Sequence, residues 1–384
     1  MSGPVGDNIY RASGVIAAAA AGGGVTWSDS VKTSGFTAEA GSGYFVNTTG
    51  GAITVTLPSP TAGDIIGVVD YAGTADTNNI TLDPDGSKIK GSTSSHAISE
   101  ERAAVTITYI DSTQGWLVVD DANIGTAALS VPYDIQYLVI AGGGGSAKGH
   151  GSGGGAGGYR TVATKSYTVQ QGTTYPITVG AGGAGTSDPN DDAGQGGSSI
   201  FSTITSAGGG GGRYHGPGKT GANGGSGAGG GTTGGTGNEP PVSPPQGNNG
   251  GAGTYGSPDH AASGGGGAGA GGSGASPSAA AGGGNGLPST ISGTDVTRGG
   301  GGAGAGQNTT ATGGTGGGGD SMAGSGTANT GGGAGGGSTA GAAGGSGIVI
   351  LRRETSASTS TSGTVTTSGT DTIHTFTSDG SYAA

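Results

Sequence analysis

The sequence has no cysteine, so neither a disulfide framework nor a thiolate metal site can stabilise the fold. Charge is also scarce and unevenly signed: 13 Lys and Arg stand against 24 Asp and Glu, a formal net charge of −11, and the cations form no basic patch. Because affinity for nucleic acid depends largely on clustered cations, we expect no nucleic-acid partner.

Long apolar runs are missing too. No segment approaches the roughly 18 apolar residues that a membrane-spanning helix needs. Residues 11–21, RASGVIAAAAA, resemble a signal peptide only superficially, because Asp7 lies in the expected basic region and the apolar run is mostly Ala. We therefore expect synthesis in the cytoplasm without export.

Glycine is what the chain has in abundance. It accounts for 99 of the 384 residues, and 78 of these lie between residues 142 and 347. There is no strict G-X-Y period, so the composition alone is typical of disorder. Only 30% of the residues are hydrophobic, so an apolar core cannot extend through the whole chain. An ordered middle would need another source of stability.

The first third predicts a compact β module. Segments such as AITVTLP and AAVTITYID alternate apolar and polar positions, and Pro and Asp-Gly turn signals separate them. Residues 36–125 should form a β-sandwich-like module. Its largest core residues are expected to be Trp116, Tyr44, Phe45 and Tyr71.

Residues 1–35 are a candidate attachment segment, too short to fold alone and suited to docking on another protein, and a disordered terminus is the alternative. The candidate attachment residues are Asn8, Ile9, Tyr10 and Arg11.

The glycine-rich domain is assigned to residues 133–352, because strands at 133–141 (YDIQYLVIA) and 348–351 (IVIL) bracket it. Residues 353–384 are expected to be a Ser/Thr-rich linker and a last strand at 373–377. The predicted fold class is mainly β with almost no α-helix: the N-terminal module, then a β scaffold that carries a bundle of glycine helices.

The glycines past Ala207 are arranged in eight runs separated by loops of different composition, which a flexible Gly/Ser linker has no reason to show. Extended helices with three residues per turn leave every backbone N–H and C=O free, and only Gly lets such helices approach closely enough to pair. The pattern therefore predicts a bundle held by backbone hydrogen bonds. The runs are 208–212, 221–231, 250–253, 264–274, 282–286, 299–306, 313–319 and 331–337.

If each run crosses the bundle once, eight crossings sort the loops into two ends. One end should hold 213–220, 254–263, 287–298 and 320–330, together with 146–152 and 186–193. The other should hold 232–249, 275–281, 307–312 and 338–343, which contain no aromatic residue, His, Arg or Lys. The first end is thus predicted to bind a receptor, through candidates Lys148, His150, Asp192, Arg213, Tyr214, His215, Tyr255, His260, Arg298 and Met322.

Several segments in order, YLVIAGGGGSAKGHGSGGGAGGYRT, YPITVGAGGAG, GQGGSSIFSTITSAGGGGG and GGSGIVIL, resemble the glycine-rich domain of tail fibres and distal adhesins of tailed phages. The resemblance covers about residues 133–352 and implies a bundle of polyglycine II helices whose tip loops contact the host receptor. DNIYRASGVI and GYFVNTTGGAITVTLP are similar to strand-rich fibre modules of marine phages.

Motifs for chemistry are weak. Matches to GxGxxG arise by chance at this glycine content, the five His are not spaced as metal ligands, and the Asp-containing turns lack the ligand series of a calcium loop. Paired carboxylates for glycan cleavage would sit on loosely held loops. We expect no enzyme activity, no cofactor and no metal.

The sequence therefore predicts a virion protein, a tail fibre or fibre-tip adhesin. Its expected partners are other tail or fibre proteins and a bacterial surface glycan or outer-membrane protein. The resemblance to fibre modules implies a homo-oligomer, with a trimer as the candidate form, and a single copy is the alternative for a terminal adhesin. The alternatives are a head, neck or tail decoration fibre without a receptor role and, more remotely, an ice-binding or matrix glycine-rich protein.

Overall fold

The computed structural model describes residues 24–121, 132–188, 192–214, 216–254, 260–358 and 360–384. The chain is mainly β, as predicted, and the one helical segment among these residues is a short 3-10 turn, Thr355–Ala357. It divides into two compact units: Met1–Tyr133 with Thr168–Thr173 and Ala384, and Asp134–Tyr167 with Thr174–Ala383. Within the described residues, no helix is long and apolar enough to cross a membrane.

The first unit is a two-sheet sandwich. Its strands are β1 (Thr26–Lys32), β2 (Phe36–Thr37), β3 (Ser42–Val46), β4 (Ile53–Thr56), β5 (Ile65–Asp70), β6 (Ile80–Asp83), β7 (His96–Ile98), β8 (Ala104–Asp111) and β9 (Gly115–Asp121). One sheet has the order β1-β3-β5-β8-β9 and the other the order β2-β4-β6-β7.

Successive strands of this unit alternate between the sheets at first. β1, β3 and β5 pair in parallel, as do β2, β4 and β6, so the chain winds around the core before β7, β8 and β9 add antiparallel strands. Parallel neighbours on one sheet require a crossover, and here the crossover is a strand of the other sheet.

The core of the sandwich contains Trp116 and Tyr44, as predicted. Two of the core predictions are wrong: Tyr71 is 53% exposed, and Phe45 lies outside the buried cluster. Phe45 alternates with the buried Tyr44 and Val46, so the period of two turns its side chain to the opposite face of the sheet. The predicted boundary at residue 35 also moves, because β1 is part of the first sheet.

The second unit begins and ends in sheets. Its strands are β10 (Tyr133–Ile140), β11 (Tyr159–Thr161), β13 (Thr174–Thr178), β14 (Ser199–Phe201), β15 (Ile204–Ser206), β16 (Leu287–Ser289), β17 (Val296–Arg298), β18 (Ile348–Glu354), β19 (Thr364–Ser368), β20 (Asp371–Phe376) and β21 (Gly380–Ala383), and the last two residues of β12 (Tyr167–Val169) are counted with the first unit. They form the sheets β11-β10-β18-β20-β19, with β12 also on β10, and β15-β14-β13-β21, and the hairpin β16-β17.

The last 32 residues differ from the prediction of a linker with one strand. β20 pairs along its length with β18, β19 pairs with β20, and β21 pairs with β13. The C-terminal segment therefore completes both sheets from which the glycine runs emerge. A small apolar core joins the β10-β18 sheet to the runs: Leu138, Ile140, Ile348 and Ile350 cluster with Ala268 of a glycine run and Ile291 of the β16-β17 hairpin.

The glycine runs form a bundle held by backbone hydrogen bonds with a period of three. In the run 153–158, Gly153 and Ala156 donate to Ser263 and Gly266, Gly154 and Gly157 to Ala334 and Gly331, and Gly155 and Gly158 to Gly210 and Ala207, at 2.7–3.1 Å. Every third residue thus donates its N–H to the same neighbouring helix, as expected for helices with three residues per turn. These are polyglycine II helices.

The run 141–146 shows how densely the helices pack. Its N–H groups donate to runs 155–158, 194–197 and 342–345, and its carbonyls accept from runs 183–186, 209–212 and from Ala334 of the run 331–337. An interior helix is therefore surrounded by hydrogen-bonded helices on all sides, which satisfies backbone groups that burial would otherwise leave costly.

Glycine is required by this spacing. A Cβ added to Gly144 would lie 2.0 Å from the carbonyl oxygen of Gly210, and one added to Gly155 would lie 2.2 Å from that of Ser226. Small side chains enter the interior at some positions: Ala156 and Ala334 are fully buried, and a buried serine can replace a backbone partner. Ser146 Oγ donates to Gly335 O at 2.7 Å and accepts from Ala342 N at 2.9 Å.

Candidate functional site

The two ends of the bundle are distinguished by the strands that feed it. We call the end where β10 and β18 join the runs the sheet end, and the opposite end, where the run 141–147 turns back at 147–151, the far end. The hydrogen-bond partners of each remaining run show in which direction it crosses the bundle. Gly209 and Gly212 donate to Gly142 and Gly145, so the run 207–212 also leads from the sheet end to the far end.

Several predicted runs double back. Gly225 pairs with Gly208 near the sheet end, whereas Gly221 pairs with Thr233 at the far end, so 221–231 contains two crossings and not one. The run 264–274 folds on itself in the same way, since Gly264 pairs with Ser273 and Gly267 with Ala270. The run 313–319 turns at Gly316 and Gly317, both of which have positive φ.

The predicted division of the loops is therefore wrong in part. Loop 287–298 forms the β16-β17 hairpin at the sheet end, because Gly286 and Gly299 lie beside Thr315 and Ala268 there. Loops 275–281, 307–312 and 338–343 turn at the far end, and 232–249 contributes both a far-end turn at 232–233 and a sheet-end loop at 238–246. The described residues that flank the other predicted far-end loops reach the far end as expected, and loop 320–330 also contains a sheet-end turn at 328–330.

The candidate residues are nevertheless concentrated at one end. Of those the structure describes, all but Arg298 lie on far-end turns; His215, Tyr255 and the attachment candidates Asn8, Ile9, Tyr10 and Arg11 lie outside the described residues. We call the set at the far end the far-end surface: Lys148, His150, Asp192, Arg213, Tyr214, His260 and Met322.

Arg298 is instead buried at the sheet end. Its backbone lies against Gly316, where an added Cβ would be within 3.0 Å of it, and burial lowers the pKa of its guanidinium. Counting one crossing for each run placed Arg298 at the wrong end, because the chain crosses the bundle more often before residue 298 than that count allows.

The turn 147–151 is the centre of the far-end surface. The ring of Tyr214 lies against Gly149, where an added Cβ would come within 2.7 Å of it, and the imidazoles of His150 and His260 are stacked with centroids 6.3 Å apart. Gly149 N donates to Ser338 O at 3.2 Å. His150 has φ of 58°, so this turn carries a side chain in a conformation that usually favours glycine.

Charged and sulfur-containing groups extend the surface on either side. Arg213 forms an ion pair with Asp192, and burial lowers the pKa of Arg213. Ser338 Oγ donates to Met322 Sδ at 3.7 Å, which connects the turn at 321–323 to the turn at 338–340. Tyr214 is 36% exposed and Met322 57% exposed, so aromatic and thioether groups face solvent beside the ion pair.

Ser338 is a far-end residue that the sequence interpretation missed. Run length was a partial signal: at about 3.1 Å per residue, runs of 11 residues are about twice as long as the run 208–212, and a bundle of even thickness requires them to fold back. The two runs of that length add an even number of crossings, so the end at which Ser338 lies is decided by the further crossings at 234–238, 313–319 and 324–327.

This surface is suited to binding and carries no sign of a metal centre. Among the residues that the structure describes, no group of three or more His, Asp or Glu is placed to hold a metal ion. Exposed rings and sulfur beside paired charges offer stacking, apolar contact and hydrogen bonding together, which is typical of recognition surfaces.

The fold and this surface define a class of protein: a mainly β chain whose sheets give rise to a polyglycine II bundle that presents turns at its far end. The sequence matches the family model described as "Glycine-rich domain" over residues 121–354, more than half of the chain. The chain belongs to that family. No curated protein matches the sequence significantly.

Proposed function

We propose that the chain is a structural virion protein of a tailed phage, a tail fibre or fibre-tip adhesin, whose far-end surface binds a receptor on a bacterial host. The observation that supports this most is the placement of seven candidate residues on adjacent turns at one end of the bundle. The partners proposed are a bacterial surface glycan or outer-membrane protein and other tail proteins.

The scaffold supports the proposal physically. Turns are normally mobile, and ordering them on binding costs conformational entropy. Here each turn joins two helices whose backbones are hydrogen-bonded to several others, so the turns begin from fixed positions. A rigid bundle can therefore tolerate varied turn sequences while it presents them at a common level, as recognition by a phage adhesin requires.

The resemblance of residues 133–352 to phage glycine-rich fibre domains is a second observation that supports this function. Membership of the glycine-rich domain family is compatible with it, and the phage origin belongs to the proposal.

A binding assay with a matched control tests the proposal. Fluorescently labelled chain is incubated with a panel of bacterial strains, and the Tyr214→Ala variant is compared with Leu287→Ala, which removes a side chain of similar exposure, 39%, from the sheet end. We expect wild type and Leu287→Ala to bind the same strains, and Tyr214→Ala to bind at least tenfold more weakly.

Two results would contradict the proposal. One is equal binding by both variants, which would place recognition elsewhere. The other is the absence of binding to every strain that the particle infects while antibody labelling still locates the chain on that particle; this would indicate a decoration fibre.

A further inference from the structure

The outer face of the β1-β3-β5-β8-β9 sheet is apolar although it does not face the sandwich core. On β3, β5 and β8 the inward side chains, such as Tyr44, Ile66 and Val105, belong to the core cluster, so the alternate residues point outward. We define the outer face by Trp27, Val31, Phe45, Val69, Ile110 and Val119. Four of these rank among the exposed large hydrophobic side chains: Trp27, Val31, Ile110 and Val119.

Charge is missing from the three middle strands of this face, while its edge strands carry Asp29, between Trp27 and Val31 on β1, and Asp120, in register with Thr106, on β9. The outward positions of β3, β5 and β8 in the described chain are 43 and 45, then 65, 67 and 69, then 104, 106, 108 and 110, and all are glycine, apolar residues or threonine. A sandwich sheet with a solvated face normally alternates apolar and polar residues, whereas strands covered on both faces are continuously apolar. Ile65–Val69 is continuously apolar.

Trp27 has a prepared position on this face. Its indole lies over Gly43 and Gly67, which are in register on neighbouring strands, and added Cβ atoms there would lie 2.5 Å and 3.0 Å from the ring. Phe45 is beside it, with ring centroids 5.2 Å apart. The two glycines leave room for the indole to lie flat on the sheet, and the side chain of Trp27 remains 43% exposed.

We propose that this outer face is the docking surface for a second copy of the chain. Charge favours a second copy as the occupant of this face. The chain carries a formal charge of −11, so another acidic surface laid on this face would bury carboxylates without partners. The middle strands of the same face in another copy are equally uncharged, and a two-fold interface places identical patches against each other. Two apolar sheet faces then pack as in a sandwich.

Sedimentation velocity on the full chain tests the proposal. Val119→Lys places a cation on the outer face, and Val365→Lys places one at a valine of 40% exposure on β19. We expect wild type and Val365→Lys to dimerise or form a larger oligomer, and Val119→Lys to need at least tenfold higher concentration to associate. A wild type that is monomeric throughout, or a Val119→Lys variant that associates like wild type, would overturn the proposal.

A second measurement does not depend on the lysine variant folding. Because the chain has no cysteine, Val119→Cys and Val365→Cys can each carry a single nitroxide. We expect the label at 119 to lose mobility as concentration rises while the label at 365 does not change. A label at 119 that stays mobile, or that is immobile even in the monomer because the chain covers its own face, contradicts docking of a second copy. Neither experiment involves the far-end surface.

Discussion

Gly144 N donates to Gly155 O at 2.9 Å, and neither residue could carry a Cβ without colliding with a carbonyl of a third helix. The pair links two runs that the turn 147–151 joins, and the same relation repeats through the bundle. Polyglycine II packing therefore replaces an apolar core with backbone hydrogen bonds, and the absence of side chains is a structural requirement.

The first prediction concerns that requirement. Gly144→Ala should lower the free energy of unfolding of the second unit by about 3 kcal/mol, because a methyl group must displace a close-packed backbone. Gly271→Ala is the control, since Gly271 is exposed and its added Cβ meets only Asn249 O at 3.4 Å. It should change stability by less than about 1 kcal/mol. Thermal unfolding measures both, and equal effects would argue against close packing at Gly144.

The second prediction concerns Ser146, whose hydroxyl is fully buried. Ser146→Ala leaves Gly335 O and Ala342 N without this partner, at a cost of about 1–3 kcal/mol for each buried group left unpaired. Ser28, which is half-buried and bonds only locally to residue 30, provides a control, and Ser28→Ala should have little effect. Chemical denaturation of the two variants would decide; similar midpoints would contradict the account.

The third prediction is a dependence on acid pH through Asp371. The hydrogen bond from Lys165, at 2.6 Å, is the main reason that the pKa of Asp371 lies below its usual range, and Arg352 Nε adds a second bond at 2.8 Å. A lowered carboxyl pKa contributes stability that is present above the unfolded value near 3.8 and lost as pH falls through the lower folded value.

Asp371→Asn should therefore lower stability at pH 7 by about 2 kcal/mol and flatten the profile between pH 4 and pH 2. Glu101→Gln is the matched control, because the Arg102–Glu101 pair is mostly exposed and worth little. A steep acid profile that persists in Asp371→Asn would refute the assignment.

The fourth prediction concerns His374, which is buried between Arg353 and residue 362. Arg353 Nε donates to His374 Nε2 at 3.1 Å, so Nδ1 carries the proton and donates to Ser362 O at 2.9 Å. Burial is the largest cause of a pKa below 6.5, and the positive charge of Arg353 lowers it further.

A lowered histidine pKa means that the unfolded chain binds protons more readily. The contribution of His374 to the stability of the folded state is therefore complete above pH 6.5, and it falls as pH drops from 6.5 towards the folded pKa. His374→Gln should reduce this dependence for the second unit, measured as the melting temperature between pH 7 and pH 5. An unchanged pH profile would contradict the prediction. His96→Gln, which replaces a buried histidine of the first unit, is the comparison variant.

The sequence predicted strands better than their partners. Alternation identified β4 and β8 correctly, because period two is a local property. It could not show that β20 pairs with β18, since Ser/Thr-rich segments give weak apolar signals and pairing depends on contacts distant in sequence. The short β7 and β2 were missed for the same reason.

The site was predicted to a similar extent. Which residue types gather at one end could be inferred, because the packed runs are mainly Gly with some Ala and Ser, so most larger side chains lie on turns. The direction of each run could not be read from glycine content alone, and so Arg298 was placed at the far end while Ser338 was placed at the sheet end. Contacts such as the stacking of His150 on His260 depend on turn geometry that no local pattern encodes.

Amide hydrogen exchange of the glycine runs tests the central claim most directly. If the runs are hydrogen-bonded helices, peptides that cover residues 141–158 should exchange on the order of several thousandfold more slowly than an unstructured chain, given a typical stability of about 5 kcal/mol. Gly144→Ala should remove much of that protection. Exchange of wild-type residues 141–158 at the rate of an unstructured glycine-rich linker would contradict the account.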